Sequence, residues 1–440
     1  MKSHKLLDTV DVVVAGGSAT GVIAAVAAAR LGCKVYIIEG QGYFGGVATA
    51  GLVTIWHQLY SEDKKIKVIS GITEEIIERL HKRNAVLMKD KGRGCFILET
   101  EDLKLVLDDI IVESKVKFLL HTLVTDVVVK KNGITGVIIE NKSGRQLIKA
   151  KQFIDATGDG DVAALGGCKF EKSKKLMPPT MCVRLANWPE KVDLDDAARK
   201  IFQPKYKKLI PTGFLWGSSS LTRKGEVMIA GTRVFGVDST NGRSLSDAEV
   251  EGRRQVKELV AIIKKEIPAC KNISIAALPS YIGLRESRRM IGKYWLTAED
   301  LLSGKKFYDA IANGSYPIDI HHSKGGGITF YRLSGMKEVV QADTKRVRTR
   351  WLPEGKILNY YQIPFRCLIP SKINNLLVTG RCISVDKTAF GATRVMVNCN
   401  QTGQAAGVAA ALAVKNKTKI AKLDINLIRN KLKKQGAVII

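Results

Sequence analysis

The sequence predicts an α/β fold in which both ends of the chain build one domain and the middle builds another. Two observations carry this prediction. Residues 11–39 form an apolar strand, a glycine turn, a helix of small residues and a second strand ending at Glu39. Residues 115–155 and 375–412 add β-rich runs and a closing helix, which complete the pattern of a Rossmann-like parallel sheet.

The glycine turn of the first unit has the composition that a bound dinucleotide requires. A glycine permits a tight turn, small side chains let the backbone approach a pyrophosphate, and the helix N-terminus offers amide donors and a positive dipole. Glu39 stands where an acidic side chain meets the ribose hydroxyls. Ser18 replaces the second glycine of the G-x-G-x-x-G pattern. The predicted contacts are Gly16, Gly17, Ser18, Ala19, Thr20, Gly21 and Glu39.

Length and composition indicate an ordinary globular chain. Its 440 residues, 45% hydrophobic and 25% charged, allow two or three domains. The apolar start is interrupted by Asp8 and Asp11, so we expect no signal peptide, and no apolar run approaches the roughly 20 residues of a membrane span. The eight cysteines form no C-x-x-C pair or cluster. We therefore expect reduced thiols, no metal site and a cytoplasmic location.

The formal net charge of +28 raises the question of nucleic-acid binding. Lysine and arginine are scattered in short pairs, without a basic-aromatic block or zinc-finger spacing. We interpret the charge as a solvated surface that also favours an anionic substrate.

The segments after Glu39 define the predicted domains. Residues 70–114 have helical spacing, and four β-rich runs follow between 118 and 153. The loop at 155–161 nearly repeats the glycine fingerprint but lacks a following acidic strand, so we predict no independent NAD(P) domain. A helix with a small-residue N-terminus is predicted to begin at Gln401. The predicted division is 1–180 with 366–440 as the cofactor domain, and 181–365 as an inserted α+β substrate or cap domain.

Several motifs together carry a family resemblance. They are residues 45–49 (GGVAT), 154–161 (IDATGDGD), 283–288 (GLRESR), 316–321 (YPIDIH), 380–384 (GRCIS) and 403–407 (GQAAG). The chain resembles flavoproteins with two dinucleotide-binding domains, specifically the FAD-dependent oxidoreductases related to the flavin subunit of heterodisulfide reductase. A more distant similarity is to fumarate reductase flavoprotein. The iron–sulfur ligands of the first relative have no counterpart here.

The resemblance implies FAD as the cofactor and extends the set of contacts. The fingerprint would hold the pyrophosphate, Val124 would meet the adenine through its backbone, and the C-terminal segment would lie near the flavin ring, where a helix N-terminus stabilises negative charge. The implied additional contacts are Gly45, Gly46, Val47, Thr49, Val124, Thr157, Gly158, Asp159, Gly380, Arg381, Ala405 and Ala406.

Catalytic candidates come from polar residues in the remaining motifs. A flavin enzyme needs a group that moves a proton and a group that fixes the substrate. His321 is the candidate for the first role, and Arg285 and Arg394 for the second. Each of these could instead be a structural residue.

We expect hydride transfer between flavin N5 and a small polar substrate, by CH–OH oxidation or by reduction of an activated C=C bond. An electron-transfer flavin subunit of a larger redox complex is the alternative. The expected partners are the substrate and an unnamed electron acceptor or donor, without nucleic acid or membrane; a homo-oligomer is compatible with the sequence.

Overall fold

A computed structural model describes residues 4–90, 94–340 and 346–440. Within these ranges the chain forms ten α-helices: α1 Ala19–Ala29, α2 Ile72–Lys82, α3 Thr100–Glu113, α4 Asp161–Leu165, α5 Leu194–Ile201, α6 Gly242–Glu266, α7 Ala298–Leu302, α8 Lys387–Thr393, α9 Met396–Lys415 and α10 Ile425–Lys434.

The strands of the same ranges form one large sheet and five smaller ones. They are β1 Lys5–Ala15, β2 Val35–Ile38, β3 Ile55–Trp56, β4 Val86–Asp90, β5 Cys95–Leu98, β6 Lys117–Leu119, β7 Leu123–Lys130, β8 Gly133–Asn141, β9 Gly144–Asp155, β10 Phe170–Lys172, β11 Val183–Ala186, β12 Trp216–Ser219, β13 Val227–Ala230, β14 Ser274–Ala277, β15 Arg288–Met290, β16 Ala310–Gly314, β17 Ile318–His321, β18 Ile328–Tyr331, β19 Met336–Val340, β20 Arg346–Arg350, β21 Tyr361–Pro364 and β22 Leu376–Val378.

The large sheet confirms the predicted α/β fold class. Its parallel part has the order β6-β2-β1-β9-β22, and the hairpin β7–β8 pairs antiparallel with the first half of β9. The register aligns Ala15 with Ile38 and Asp155, and Asp155 with Val378. The loops after β1, β2, β9 and β22 therefore emerge together at the carboxyl edge, where open parallel sheets bind their ligands.

Helix α1 packs against this sheet beside α9, which contacts the sheet as well. It is alanine-rich, almost wholly buried and capped by Ser18. The two helices approach closely because glycines face α1: a Cβ added at Gly407 would lie 2.1 Å from the Ala24 carbonyl oxygen. Small residues in α9 thus serve helix packing.

Helix α9 begins at Met396, so the prediction that this helix starts at Gln401 is wrong. The polar run Asn398-Cys399-Asn400 resembles a loop in sequence, but it is buried inside the helix. Tertiary contacts satisfy part of it: the Asn398 amide donates to the Tyr361 hydroxyl at 2.8 Å.

The stretch 70–114 is also not continuously helical. Between α2 and α3 the chain forms β4 and β5, which build a three-stranded sheet with β3. Strand β5 pairs with β4 and also with β3, which lies about 40 residues earlier, so the local pattern does not contain the second of these pairings.

The middle of the chain contributes to two different cores. The antiparallel sheet β12-β13-β11-β14 packs with α5 and α6 around a core drawn from residues 181–284. Buried residues from Leu296 to Leu333 and at Tyr361 and Ile363 instead share the core of the nucleotide unit. All strand pairs described between 183 and 364 are antiparallel. No helix among the described residues is long and apolar enough to cross a membrane.

Candidate active site

The glycine turn after β1 forms a close-fitting backbone cradle. Gly16 has a φ of 95°, and an added Cβ would lie 2.5 Å from the carbonyl oxygen of Ala156. The peptide N–H of Gly16 donates to the Ile38 carbonyl at 2.8 Å, and that of Ala156 donates to Ala15 at 2.8 Å. Only glycine suits this position, because side chains disfavour the conformation and the neighbouring strand leaves no room.

The structure gives Ser18, which replaces the second glycine of the pattern, a role of its own. Its hydroxyl caps α1 by accepting from the Gly21 N–H at 3.3 Å, which satisfies one of the helix's otherwise unpaired donors. Glu39 holds the same loop from the other side. Its carboxylate accepts from the N–H groups of Gly17 at 2.6 Å and Gln41 at 2.8 Å. Burial raises the pKa of Glu39 despite these bonds.

The glycine and acid-rich loop after β9 lies beside this cradle. Its fixed point is the buried Asp155, which accepts from Thr157 and from the Ala163 N–H. Burial raises the pKa of the Asp155 carboxyl to about 6. Arg381, which follows β22, donates to Asp159 at 3.4 Å and crosses closely over Gly158. The register thus joins the cofactor segments predicted at 157–159 and 380–381.

The other predicted cofactor contacts lie in different surroundings. Gly45 reaches the cradle through its N–H, which donates to Gly17 at 2.8 Å. Val124 is paired with Ile139 in the hairpin β7–β8. Ala405 and Ala406 are fully buried in the interior of α9, so their N–H groups do not belong to a helix N-terminus. Their contact with FAD, like that of Val124, remains a prediction.

A cavity of about 950 Å³ brings all three catalytic candidates together. Arg285, His321 and Arg394 line it, and so do Val47 and Arg381 from the predicted cofactor segments. Residues separated by more than 300 positions in the chain therefore share one space.

An aspartate organises one end of the cavity. The Asp319 carboxylate accepts from Arg394 Nη2 at 3.1 Å and from the Tyr316 hydroxyl at 3.2 Å. Its Oδ1 lies 3.3 Å from His321 Nε2, and Arg233 Nη1 lies 3.4 Å from His321 Nδ1. His321 is thus held between a carboxylate and a guanidinium, at the end of β17.

The arginines in this cluster outnumber the carboxylates. Among the described residues neither Arg285 nor Arg233 forms an ion pair; Arg285 donates to the Pro178 carbonyl, and Arg233 lies over the Phe214 ring at 4.4 Å. The buried Nε of Arg394 has no hydrogen-bond partner in the described part of the chain. Together with Asp319, these three guanidiniums leave two positive charges without a counterion. Such charges are costly to bury unless a ligand compensates them.

The pKa values follow from this crowding. Burial lowers the pKa of Arg285 to about 9, helped by Arg394 and Arg233, and burial lowers that of Arg233 to about 10. Burial and the charge of Arg285 hold the pKa of His321 well below its usual range. Burial opposes ionisation of Asp319, but the charges of Arg394 and Arg285 and the hydrogen bond from His321 lower its pKa overall. The cluster therefore contains a neutral imidazole and an ionised carboxylate at neutral pH.

Sequence reasoning missed His57 and Arg233. The ring of His57 lines the cavity and packs at a tilt against Tyr316, with 4.7 Å between the ring centroids, and its Nδ1 lies 3.9 Å from the Cys95 sulfur. Burial lowers the pKa of His57 to about 4. Neither residue belongs to a recognisable motif, and only the tertiary packing brings them to the site. Tyr316 and Asp319 did carry a signal, since both lie in the motif 316–321.

Other polar residues of the motifs have structural partners. Arg288 pairs with Asp161 at 2.7 Å, and Arg289 pairs with Glu286 at 2.6 Å. His322 contacts the Thr329 hydroxyl at 2.8 Å. These contacts account for them without a catalytic role.

Comparison with known families identifies the cofactor class. A family model described as FAD dependent oxidoreductase matches residues 11–432. The chain belongs to this family. The cradle at Gly16 and the adjoining loops of this FAD-dependent oxidoreductase fit its cofactor, because Gly16, at a φ of 95°, packs the turn against Ala156 and leads directly into the N-terminus of α1, whose N–H groups suit a pyrophosphate.

Curated relatives of this oxidoreductase include thiamine thiazole synthases. That of Methanococcus aeolicus is 26% identical over 251 residues, which is 55% of this chain and 86% of that protein. That of Saccharolobus islandicus is 24% identical over 179 residues, covering 38% of this chain and 62% of that protein.

Solved structures similar to this oxidoreductase include two proteins of low sequence identity. A geranylgeranyl bacteriochlorophyll reductase-like protein from Thermoplasma acidophilum has a TM-score of 0.48 and 12% identity, over 97% of this chain and 83% of that chain. L-proline dehydrogenase from P. horikoshii has a TM-score of 0.45 and 13% identity, over 99% and 100%.

Proposed function

We propose that this enzyme transfers a hydride between N5 of FAD and a polar organic substrate bound in the cavity. The reaction would oxidise a CH–OH group or reduce an activated C=C bond. One observation carries the proposal: the cavity that borders Val47 and Arg381 also contains a neutral histidine held by a carboxylate. In this proposal residues 1–180 and 366–440 contribute the cofactor site, and the middle of the chain contributes the opposite wall.

His321 is the group that we assign to proton transfer. Its contact with Asp319 favours a hydrogen on Nε2 and leaves the lone pair on Nδ1, which faces Arg233. A cation at that position opposes protonation of the ring. An anionic substrate beside Arg233 and Arg285 offsets this charge, so that Nδ1 can take the proton of a substrate hydroxyl or return one to a reduced carbon.

Arg285 and Arg394 are the groups that we assign to substrate positioning. Both line the cavity, and the unsatisfied Nε of Arg394 leaves one donor available. FAD, when bound, supplies the two-electron acceptor or donor. The surrounding side chains hold the substrate and keep water away from the reacting atoms. A closer relationship to the flavin subunit of heterodisulfide reductase, and a distant one to fumarate reductase flavoprotein, belongs to the same proposal.

The test is anaerobic reduction of the bound flavin by a panel of alcohols, hydroxy acids and sugars, followed at the flavin absorbance maximum. We expect at least one substrate to bleach the flavin without a protein partner. The dithionite-reduced enzyme is mixed in parallel with enoates and enones. If no small molecule reacts in either direction while a protein acceptor reoxidises the flavin rapidly, the chain is an electron-transfer subunit and the proposal fails.

A further inference from the structure

The cavity is much longer than a small polar substrate requires. It extends from the arginine cluster along one face of the hairpin β12–β13, since Phe214, Trp216 and Ser219 line it in chain order. At the far end, the turn of the hairpin meets Trp188, whose N–H donates to the Gly225 carbonyl at 2.8 Å. Strand β12 alone adds about 10 Å at roughly 3.3 Å per residue.

We call the part of the cavity that runs along the hairpin β12–β13 the arm. It is distinct from the part that borders the predicted cofactor segments. Val47, Gly283 and Arg381 lie on the cofactor side, whereas β12 and β13 belong to the separate sheet of the middle region. The register pairs Trp216 with Ala230 at the inner end and Ser219 with Val227 at the outer end. The side of the cavity that carries the predicted cofactor contacts and the arm are therefore different parts of the space.

The middle of the arm has apolar walls, the inner end is cationic, and the outer end near Trp188 also carries charged residues, namely Glu190, Lys191, Asp193, Asp195, Lys224 and Glu226. The apolar lining includes Phe214, Trp216, Val53, Ile55, Val395 and Met396. The rings of Phe214 and Trp216 remain partly exposed to the cavity instead of packing fully into a core. Apolar walls beside a cationic end are typical of a site that orients an amphipathic ligand.

We propose that the substrate is an organic carboxylate with an extended, mainly apolar body. Its carboxylate lies among Arg285, Arg233 and Arg394, where it compensates one of the two uncompensated charges, and its body follows the hairpin toward Trp188. That this ligand is the substrate rests on the proposed function. Its binding in the cavity can be tested without turnover. This ligand replaces the small polar substrate that the sequence suggests.

Calorimetric titration of the oxidised holoenzyme tests the class with three probes. 4-Phenylbutyrate has both features, 4-phenylbutan-1-ol lacks the charge, and acetate lacks the body. We expect 4-phenylbutyrate to bind at least about tenfold more tightly than either of the others, a difference of ~1.4 kcal/mol. Equal binding of the acid and the alcohol overturns the anionic end, equal binding of 4-phenylbutyrate and acetate overturns the arm, and failure of all three to bind overturns both.

Variants locate the two ends. Arg285→Met should weaken 4-phenylbutyrate at least about tenfold without changing the alcohol, and Arg285→Lys should keep the preference for the acid. Arg243→Met removes one charge from an exposed helix position and is the matched control. Trp216→Ala should weaken 4-phenylbutyrate more than acetate. An Arg285→Met enzyme that binds the acid normally contradicts the assignment. Tight probe binding without any substrate turnover would instead leave the ligand class standing and count against hydride transfer.

Discussion

The nucleotide cradle and the cavity cluster use opposite means to receive a charged ligand. The cradle is made of backbone: Gly16, the capped start of α1 and loops joined by peptide hydrogen bonds of about 2.8 Å. The cluster is made of side chains from distant segments: Arg394 pairs with Asp319, Arg233 contacts His321, and Arg285 lies near them in the same cavity. The cradle is complete without a ligand, whereas the cluster retains uncompensated charge.

The two regions therefore select their ligands differently: the cradle by its shape and the cluster by its electrostatics. In the cradle, a ligand is accepted because nothing protrudes into the space, so any side chain there is harmful. In the cluster, a ligand is accepted because buried cations need an anion. Substitutions should therefore act on cofactor content in the first region and on substrate affinity and rate in the second.

The largest expected effect comes from Gly16→Val. The new side chain would meet the Ala156 carbonyl within 2.5 Å at a φ of 95°, so the cradle must open and FAD binding should be lost. The measurement is the ratio of flavin to protein absorbance after purification. Gly144→Val is the matched control: Gly144 has a φ of 87° with no atom within 4 Å of an added Cβ. It should lose some stability yet remain yellow, and a flavin-loaded Gly16→Val protein would show that the cradle is not the cofactor site.

The same contrast explains how much the sequence could predict. The unit at residues 11–39 is local, because turn, cap and acid follow one another within about 30 residues, and its strands and α1 were predicted in place. The strand β22 and the hairpin β7–β8 were likewise close to their predicted bounds. Each of these elements has a pattern that tertiary contacts only reinforce.

The cluster could be predicted only in part. His321, Arg285 and Arg394 were candidates from their motifs, and the structure brings them to one cavity. Arg233 belongs to no motif. Helix α9 is continuous and contains buried polar residues whose sequence resembles a loop. Buried polar groups become acceptable through partners far along the chain, which a local pattern does not contain.

The second prediction compares the two histidines of the cavity. His321→Ala should leave the flavin spectrum intact and slow substrate-dependent flavin reduction about 100-fold or more, the usual scale for losing a proton-transfer group. His57→Ala should slow it less than about tenfold, because His57 contacts Tyr316 and Cys95 but not Asp319. Rates come from anaerobic stopped-flow mixing with a substrate found by the panel. The reverse ranking would assign proton transfer to His57.

The smallest expected effect is on stability at acid pH. Burial lowers the pKa of His57 to about 4 and that of His321 further, so the unfolded chain takes up protons first as the pH falls below about 6.5. Their contribution to stability is complete above that pH and is lost progressively toward pH 4. The raised pKa of Asp155, about 6, acts in the opposite direction in this range, so the informative quantity is the difference between variants.

His57→Gln should reduce the loss of melting temperature between pH 7 and 4.5 by a few degrees. His81→Gln, at an exposed position of α2, should follow the parent, and identical slopes for all three proteins would mean that His57 is not kept neutral by burial.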